Sequence, residues 1–307
     1  MNWFWKLSRR VSALFLVCVL LVQTNIRGAE SFELQDGDRV VFLGDALLEQ
    51  EQYAGWIEVM MTTAFPERDV TFRNLGWSAD TPSGKSRFGL SLLPAGREPA
   101  DEGWKQLVKQ LEFTRPTVIV FGYGMASALD SGMEGVATFT QDYQRLVDTA
   151  KQIQPDLRCV LLSPLGRRSD QSRTTEADRS VLNAYTKAVN QVADKNNGVF
   201  IDLSHVAIDD GLRKDPIHLN DAGYREAAIA IGQALGLDDK WIRNAHVEAL
   251  RSTILKKNVW WFHRSRPANM AYVFGFRKRE QGQNAVEIPQ YDQLIVEEEQ
   301  AIALLRK

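Results

Sequence analysis

A chain of 307 residues, 44% of them hydrophobic, can form one substantial core together with a second small domain or a long extension. Its charged fraction of 25% excludes a disordered chain and a membrane bundle. The net charge is −2, and a chain that begins at Glu30 has 33 basic and 39 acidic residues, a net charge of −6. This balance excludes a dedicated nucleic-acid-binding protein.

The first 29 residues have the pattern of a secretory signal peptide. Three basic residues within 6–10 precede an apolar run at 11–22, and the small residues Gly28 and Ala29 follow. The apolar run is short for a membrane span, and an uncleaved N-terminal anchor is the alternative interpretation. We therefore expect residues 1–29 to be removed. The mature protein is then secreted or periplasmic, with no stable membrane span.

Short apolar runs alternate with helical patterns along the next two hundred residues. The predicted strands are 39–43, 70–74, 117–121, 158–162 and 199–203, and the predicted helices are 51–64, 102–113, 136–154, 176–196 and 221–235. Strands of four to six residues that alternate with helices indicate βαβ units and a parallel sheet covered on both faces. Ligands bind such sheets beyond the carboxyl ends of the strands, so the segments that follow each strand are the candidates for chemistry.

The C-terminal residues 238–307 are predicted to form a mostly helical extension that packs on the sheet domain. A helical stripe at 238–259 is followed by an aromatic and basic stretch, and a last helix is expected at 292–305. The aromatic residues favour packing of the extension onto the core. The alternative is a ligand groove in which aromatic rings stack on sugars and basic side chains line the wall.

Cysteine usage argues against disulfides and metal sites. Cys18 lies in the predicted signal peptide, which leaves Cys159, within a predicted buried strand, without an internal partner. No Cys or His cluster has metal-ligand spacing. We predict neither a metal nor a cofactor.

Four segments at the predicted strand ends carry a family pattern. Residues 40–45 run from a strand into Gly-Asp, 74–81 read Asn-Leu-Gly-Trp-Ser-Ala-Asp-Thr, and 121–126 read Phe-Gly-Tyr-Gly-Met-Ala. Residues 215–224 begin with Asp-Pro-Ile-His and lead into a predicted helix. In this order the four segments resemble the blocks of the SGNH/GDSL hydrolases.

The resemblance implies a three-layer, flavodoxin-like α/β fold for residues 30–237, with a five-stranded parallel sheet and helices on both faces. It also implies the roles of the site residues. Asp215 and His218 match the Asp-x-x-His pair, in which the histidine is the general base. Ala46 stands where the family has its nucleophilic serine. Ala79 and Ala126 stand where the family has the glycine and the asparagine of the oxyanion hole.

The three alanines differ in their chemical consequences. Ala46 has no nucleophilic atom, and loss of a triad member typically lowers turnover by about 10⁴–10⁶-fold. Ala126 has no side-chain donor, and loss of one oxyanion-hole donor costs roughly 10²–10³-fold. Ala79 keeps its backbone N–H and is unfavourable only if its φ must be positive. We therefore expect an ester-hydrolase homologue with weak or no activity.

The sequence is also compatible with other functions and with other roles for the candidate residues. One alternative is a non-catalytic binding protein that recognises a small-molecule ester, a carbohydrate or an envelope ligand, and another is a purely structural envelope protein. Asp215 and Asn220 can also serve structurally, as a loop anchor and a helix N-cap. Hydrolysis without a serine requires either a water molecule activated by His218 or a relocated hydroxyl. The candidate hydroxyls near strand ends are Ser78, Thr81, Ser127 and Ser163.

Overall fold

The structure is a computed structural model of the full chain. It describes residues 32–87, 93, 97, 99–166, 176–206, 209–239, 246–267, 270–280 and 284–306. The predicted signal peptide, residues 1–29, lies outside the described residues. Among the helices that are described, none is both long enough and apolar enough to cross a membrane.

Five strands form a single parallel sheet in the spatial order β2-β1-β3-β4-β5. The strands are β1 (Arg39–Gly44), β2 (Thr71–Asn74), β3 (Val118–Gly122), β4 (Arg158–Leu162) and β5 (Val199–Ile201). All five residues of β3 are buried, as expected for a central strand that is covered on both faces. This is the doubly wound order in which the chain reverses direction between β1 and β3, and that point is where such folds bind ligands.

Ten α-helices surround the sheet in the described part of the chain. They are α1 (Ala46–Ala54), α2 (Trp56–Ala64), α3 (Glu102–Thr114), α4 (Met125–Ser131), α5 (Val136–Ile153), α6 (Glu176–Lys195), α7 (Asp221–Ala234), α8 (Val247–Ser265), α9 (Met270–Val273) and α10 (Tyr291–Leu305). One packed group contains α1, α2, α7, α8 and α10, and a second group contains α3, α4, α5 and α6. The predicted α/β fold and the helical C-terminal region are confirmed.

The helix predicted at 51–64 is wrong in its extent, because two shorter helices occupy residues 46–64. Gly55 separates α1 from α2 with a φ of +73°, a left-handed conformation that glycine adopts without a side-chain clash. The same glycine leaves room for α8, since a Cβ there would lie 3.1 Å from Leu255 Cδ2. A single glycine inside a helical pattern does not by itself predict a break.

The helix α4 is absent from the sequence prediction. It is only seven residues long and follows β3 directly, so its apolar residues read as a continuation of the strand-end block. The N-cap residue Gly124, which precedes the helix, has a φ of +139°. This conformation permits the sharp turn out of the sheet.

Residues 240–245 of the predicted helical stripe at 238–259 lie outside the described residues, and the described helix extends beyond the predicted end of the stripe. Helix α8 runs from Val247 to Ser265 and therefore includes Trp261, which is 3% exposed. The prediction that all the aromatic residues of the extension pack onto the core is also wrong in part. Phe274 and Phe276 are exposed, because they follow α9 in a segment of turns.

Helix α8 covers the free edge of strand β2. Trp261 Nε1 donates a hydrogen bond of 2.8 Å to the carbonyl oxygen of Asn74, and Lys257 Nζ lies 3.4 Å from that of Phe72. An uncovered edge strand would present these carbonyl groups to other chains. The extension therefore protects the sheet as well as adding to its core.

A buried carboxylate supports the break between α1 and α2. Glu51 Oε1 accepts hydrogen bonds from the backbone N–H groups of Ile57, at 2.7 Å, and Glu58, at 3.3 Å. Its Oε2 has no partner among the described residues. Burial raises the pKa of Glu51 to about 8, although the two backbone hydrogen bonds oppose this shift.

We expect Glu51→Gln to weaken the pH dependence of stability. The folded protein holds a proton on Glu51 up to about pH 8, whereas the unfolded chain loses it near pH 4.5, so stability falls as pH rises between these values. Glutamine keeps an acceptor for the α2 amides and removes the titration. Compared with the unmodified protein, the variant should therefore be more stable at pH 8 than at pH 4.5 by on the order of 4 kcal/mol. Urea unfolding at both pH values measures this. The exposed Glu112→Gln should leave the pH profile unchanged, and an unaltered profile in Glu51→Gln would contradict the assignment.

Candidate active site

A pocket of about 690 Å³, here called the central pocket, lies beyond the carboxyl ends of β1 and β3. Ala46, Ala79, Ala126 and His218 all line it. Ala46 begins α1 directly after β1, and Ala126 lies in the first turn of α4 after β3. The fold therefore brings four of the five predicted site residues together at the reversal point of the sheet. Asp215 does not line the pocket and contacts His218.

Asp215 and His218 form a hydrogen-bonded pair. Asp215 Oδ2 lies 2.7 Å from His218 Nδ1, and Asp215 Oδ1 accepts hydrogen bonds of 2.8 Å from the backbone N–H groups of Ile217 and His218. With a proton on Nδ1 directed at the carboxylate, Nε2 is the nitrogen that remains available as a base. This is the geometry of a general base oriented by a carboxylate.

The charge on Asp215 is well stabilised. Burial raises the pKa of its carboxyl group, but the backbone hydrogen bonds from His218 and Ile217, together with the imidazole, lower that pKa to about 2. The carboxylate consequently remains ionised at any pH at which the imidazole can act as a base. Oδ1 of Asp215 anchors the loop through the two backbone N–H groups, and Oδ2 orients the imidazole. A structural role and a catalytic role for Asp215 are therefore compatible.

The loop that carries this pair is attached firmly to the sheet domain. Asn220 caps α7, where its Oδ1 accepts a hydrogen bond of 3.0 Å from the backbone N–H of Gly223. The hydroxyl of Tyr224 donates to the carbonyl oxygen of Leu47 in α1, at 2.8 Å. These contacts connect the loop of His218 to α7 and, through Tyr224, to α1, which begins at Ala46.

Ala79, which the family resemblance aligns with the glycine of the oxyanion hole, has a φ of +56°. This left-handed region penalises a Cβ, and glycine occupies it without that cost. The Ser86 hydroxyl donates to the carbonyl oxygen of Ala79 at 2.7 Å and supports the turn. The backbone at this position thus has a conformation that favours glycine, while the residue is alanine.

Replacement of Ala79 by glycine should raise the free energy of unfolding by about 0.5–1 kcal/mol, because it removes the left-handed strain. Chemical denaturation measures the change. Ala184→Gly is the matched control: Ala184 lies inside α6, where the same substitution should destabilise the protein by about 0.5–1 kcal/mol. If both substitutions destabilise equally, residue 79 does not have this φ in solution.

The segment after β3 is bound to the segment after β1 through Asp45. Its Oδ2 accepts hydrogen bonds from the backbone N–H groups of Gly124, at 3.2 Å, and Ala126, at 3.1 Å. Burial raises the pKa of Asp45 to about 6, and these backbone donors lower it less than burial raises it. Asp45 therefore fixes the segment that follows β3 relative to the segment that follows β1. Its place in the first block was visible in the sequence, but its partners were not.

The four alternative hydroxyls have different surroundings. Ser163 is buried and accepts a hydrogen bond of 2.7 Å from the backbone N–H of Leu203, and Ser127 is also buried; neither lines the central pocket. Ser78 and Thr81 do line it. The Ser78 hydroxyl donates to Glu49 Oε2 at 3.0 Å. A hydroxyl that donates to a carboxylate other than the Asp215–His218 pair lacks the partner that a serine nucleophile needs.

A buried ion pair supports the wall of the pocket that carries Ala79. Arg87 Nε donates to Asp80 Oδ2 at 2.8 Å, and both side chains are fully buried. Arg87 Nη2 also donates to the carbonyl oxygen of Leu75 at 2.8 Å, and the Tyr123 hydroxyl donates to Asp80 at 3.2 Å. This network joins the second and third blocks beneath the pocket, and sequence reasoning did not identify it.

The remaining surface of the central pocket is largely apolar. Met125 and Leu129 of α4 and Ile217, which precedes His218, are its larger apolar side chains. Leu129 is 48% exposed, so the apolar surface extends to the rim. Within the described ranges, no group of three or more His, Cys, Asp or Glu side chains could hold a metal ion.

Comparison with protein families identifies the type of domain. Residues 41–226 match the model of the GDSL-like lipase/acylhydrolase family. The matched segment contains all five candidate site residues. A search of curated proteins finds no match.

Solved structures with this fold have low sequence identity to the chain. A protein described as a GDSL-like lipase, from Parabacteroides merdae, is 16% identical, with a TM-score of 0.53 over 67% of this chain and 99% of that chain. A single-residue variant of Axe2, an acetyl-xylooligosaccharide esterase from Geobacillus stearothermophilus, is 17% identical, with a TM-score of 0.51 over 68% and 98%. An acetyl xylan esterase, AlAXEase, is 18% identical, with a TM-score of 0.50 over 64% and 98%.

Proposed function

Because the chain belongs to the GDSL-like lipase/acylhydrolase family, we propose that it is an ester-hydrolase homologue that binds an acyl ester or carbohydrate ligand without serine-dependent turnover. The observation that carries the proposal is that residue 46, in the pocket that His218 lines, is an alanine and therefore has no hydroxyl group. A methyl group cannot attack an ester carbonyl.

The ligand class follows from the pocket and from the family. The apolar surface of Met125, Leu129 and Ile217 suits the acyl part of an ester. Two of the structural neighbours are esterases that act on acetylated xylan or xylooligosaccharides. We therefore propose an acylated carbohydrate as the ligand, and a secreted or periplasmic protein that retains the cleft and has lost the usual chemistry.

A second candidate function is slow hydrolysis by a water molecule. The hydrogen-bonded Asp215–His218 pair favours it, since an oriented imidazole can remove a proton from water as readily as from serine. The tetrahedral intermediate would be stabilised only weakly, because Ala126 contributes no side-chain donor.

Reaction with a serine-directed fluorophosphonate, read by intact mass, tests the main proposal. The unmodified protein should form no adduct and should not hydrolyse p-nitrophenyl acetate faster than His218→Ala, whereas the triple variant Ala46→Ser/Ala79→Gly/Ala126→Asn is the positive control for labelling. A stoichiometric adduct that disappears in Ser78→Ala or Ser127→Ala would reveal a relocated nucleophile. Turnover that depends on His218 without any adduct would support the water mechanism instead.

A further inference from the structure

A second pocket, of about 590 Å³, adjoins the central pocket and is called here the side pocket. Thr81, Lys85 and Asp130 line both pockets, so the two cavities share a boundary. The side pocket lies over the N-terminal part of α5, and the buried rings of Phe139 and Tyr185 form part of its wall.

The boundary between the pockets is an ion pair on the surface. Lys85 Nζ lies 2.8 Å from Asp130 Oδ2, and the two side chains are 63% and 54% exposed. Ion pairs this accessible to water contribute little to stability, so a ligand can displace or cross this pair at small cost. The two pockets are therefore parts of one groove.

The two parts of the groove differ in their chemistry. The central pocket is mainly apolar, whereas hydroxyl groups and carboxylates dominate the side pocket. Thr138 and Asp142 are four residues apart on α5 and therefore face the same side of the helix. Glu134, in the turn before α5, adds a second carboxylate. These groups can accept hydrogen bonds from the hydroxyl groups of a sugar, and carboxylates form the stronger, charge-assisted bonds.

The charge of the side pocket indicates which class of sugar can bind there. Asp130, Glu134 and Asp142 give the side pocket three carboxylates against the single ammonium group of Lys85. Burial raises the pKa of Asp142, with the charge of Arg145 opposing this shift, as expected for a carboxylate at the wall of a partly enclosed pocket. An acidic sugar would be repelled from such a surface, and a neutral sugar would not.

We infer that the side pocket is a sugar subsite, and this inference rests on the proposed function. It binds neutral sugar units of an acylated oligosaccharide whose acyl group occupies the central pocket. The division of the groove into an apolar part and a hydroxyl-binding part matches the two halves of such a molecule.

Calorimetric titration with two probes tests this inference. Mono-acetylated xylotriose reaches both pockets, and phenyl acetate reaches the central pocket alone. The double variant Glu134→Gln/Asp142→Asn should bind acetylated xylotriose at least about tenfold more weakly, because two charge-assisted acceptors are lost. Its affinity for phenyl acetate should not change. Glu112→Gln/Asp148→Asn, with the same charge change on α3 and on a part of α5 that lines neither pocket, should resemble the unmodified protein.

The outcomes separate the subsite from the proposed function. Equal binding of acetylated xylotriose by the double variant and the unmodified protein overturns the subsite and leaves the proposed function intact. Equal binding of a trimer of uronic acid also overturns it. Failure of both probes to bind the unmodified protein overturns the proposed function and the subsite together.

Discussion

Serine, glycine and asparagine introduced at Ala46, Ala79 and Ala126 are expected to create esterase activity. The Asp215–His218 pair is already hydrogen-bonded at 2.7 Å, and His218 lines the same pocket as the three alanines. A hydroxyl at residue 46 would therefore meet an oriented base. The asparagine would add a side-chain donor, and the glycine would relieve the positive φ at residue 79.

The size of the effect depends on all three changes. Ala46→Ser alone should give little activity, because a nucleophile without stabilisation of the tetrahedral intermediate still faces most of the barrier. The triple variant should exceed it by at least about tenfold on p-nitrophenyl acetate, the low side of what one donor contributes. Adding His218→Ala should abolish the gain. A triple variant that is folded by circular dichroism and inert on this ester and on acetylated sugars would mean that the cleft has diverged beyond its three alanines.

Lys257→Ala is expected to destabilise the protein by about 3–5 kcal/mol. Lys257 in α8 and Glu58 in α2 form an ion pair in which the side chains are 1% and 3% exposed. Removal of the lysine leaves the carboxylate of Glu58 buried without its partner, and it also removes the donor near the Phe72 carbonyl oxygen at the sheet edge. Urea unfolding followed by circular dichroism measures the loss.

Two comparisons isolate the cause of that loss. Lys256→Ala, at the neighbouring exposed residue that pairs with Glu298, should cost less than about 1 kcal/mol. Glu58→Leu/Lys257→Met should recover most of the lost stability, because it replaces both charges with apolar groups of similar size. A Lys257→Ala variant no less stable than Lys256→Ala would show that α8 does not anchor the extension through this pair.

The parallel sheet follows from the alternation of apolar runs and helical patterns in the sequence, whereas its flavodoxin-like arrangement was expected from the family resemblance. Apolar runs of four to six residues, such as the one that forms β3, specify buried parallel strands by their composition alone. The family resemblance aligns Ala46 with the nucleophilic serine, and the absence of a hydroxyl at residue 46 is evident from the sequence alone. That His218 and Ala46 line one pocket was expected from the family resemblance together with the rule for strand ends.

Other features of the site depend on contacts between residues far apart in the chain. The left-handed φ of Ala79, the capture of the Ala126 N–H by Asp45, and the joining of two pockets through Lys85 and Asp130 have no local pattern. Each arises where loops from different strands meet over one end of the sheet. Local periodicity encodes which residues are buried, whereas the geometry between loops is decided only when the strands are packed side by side.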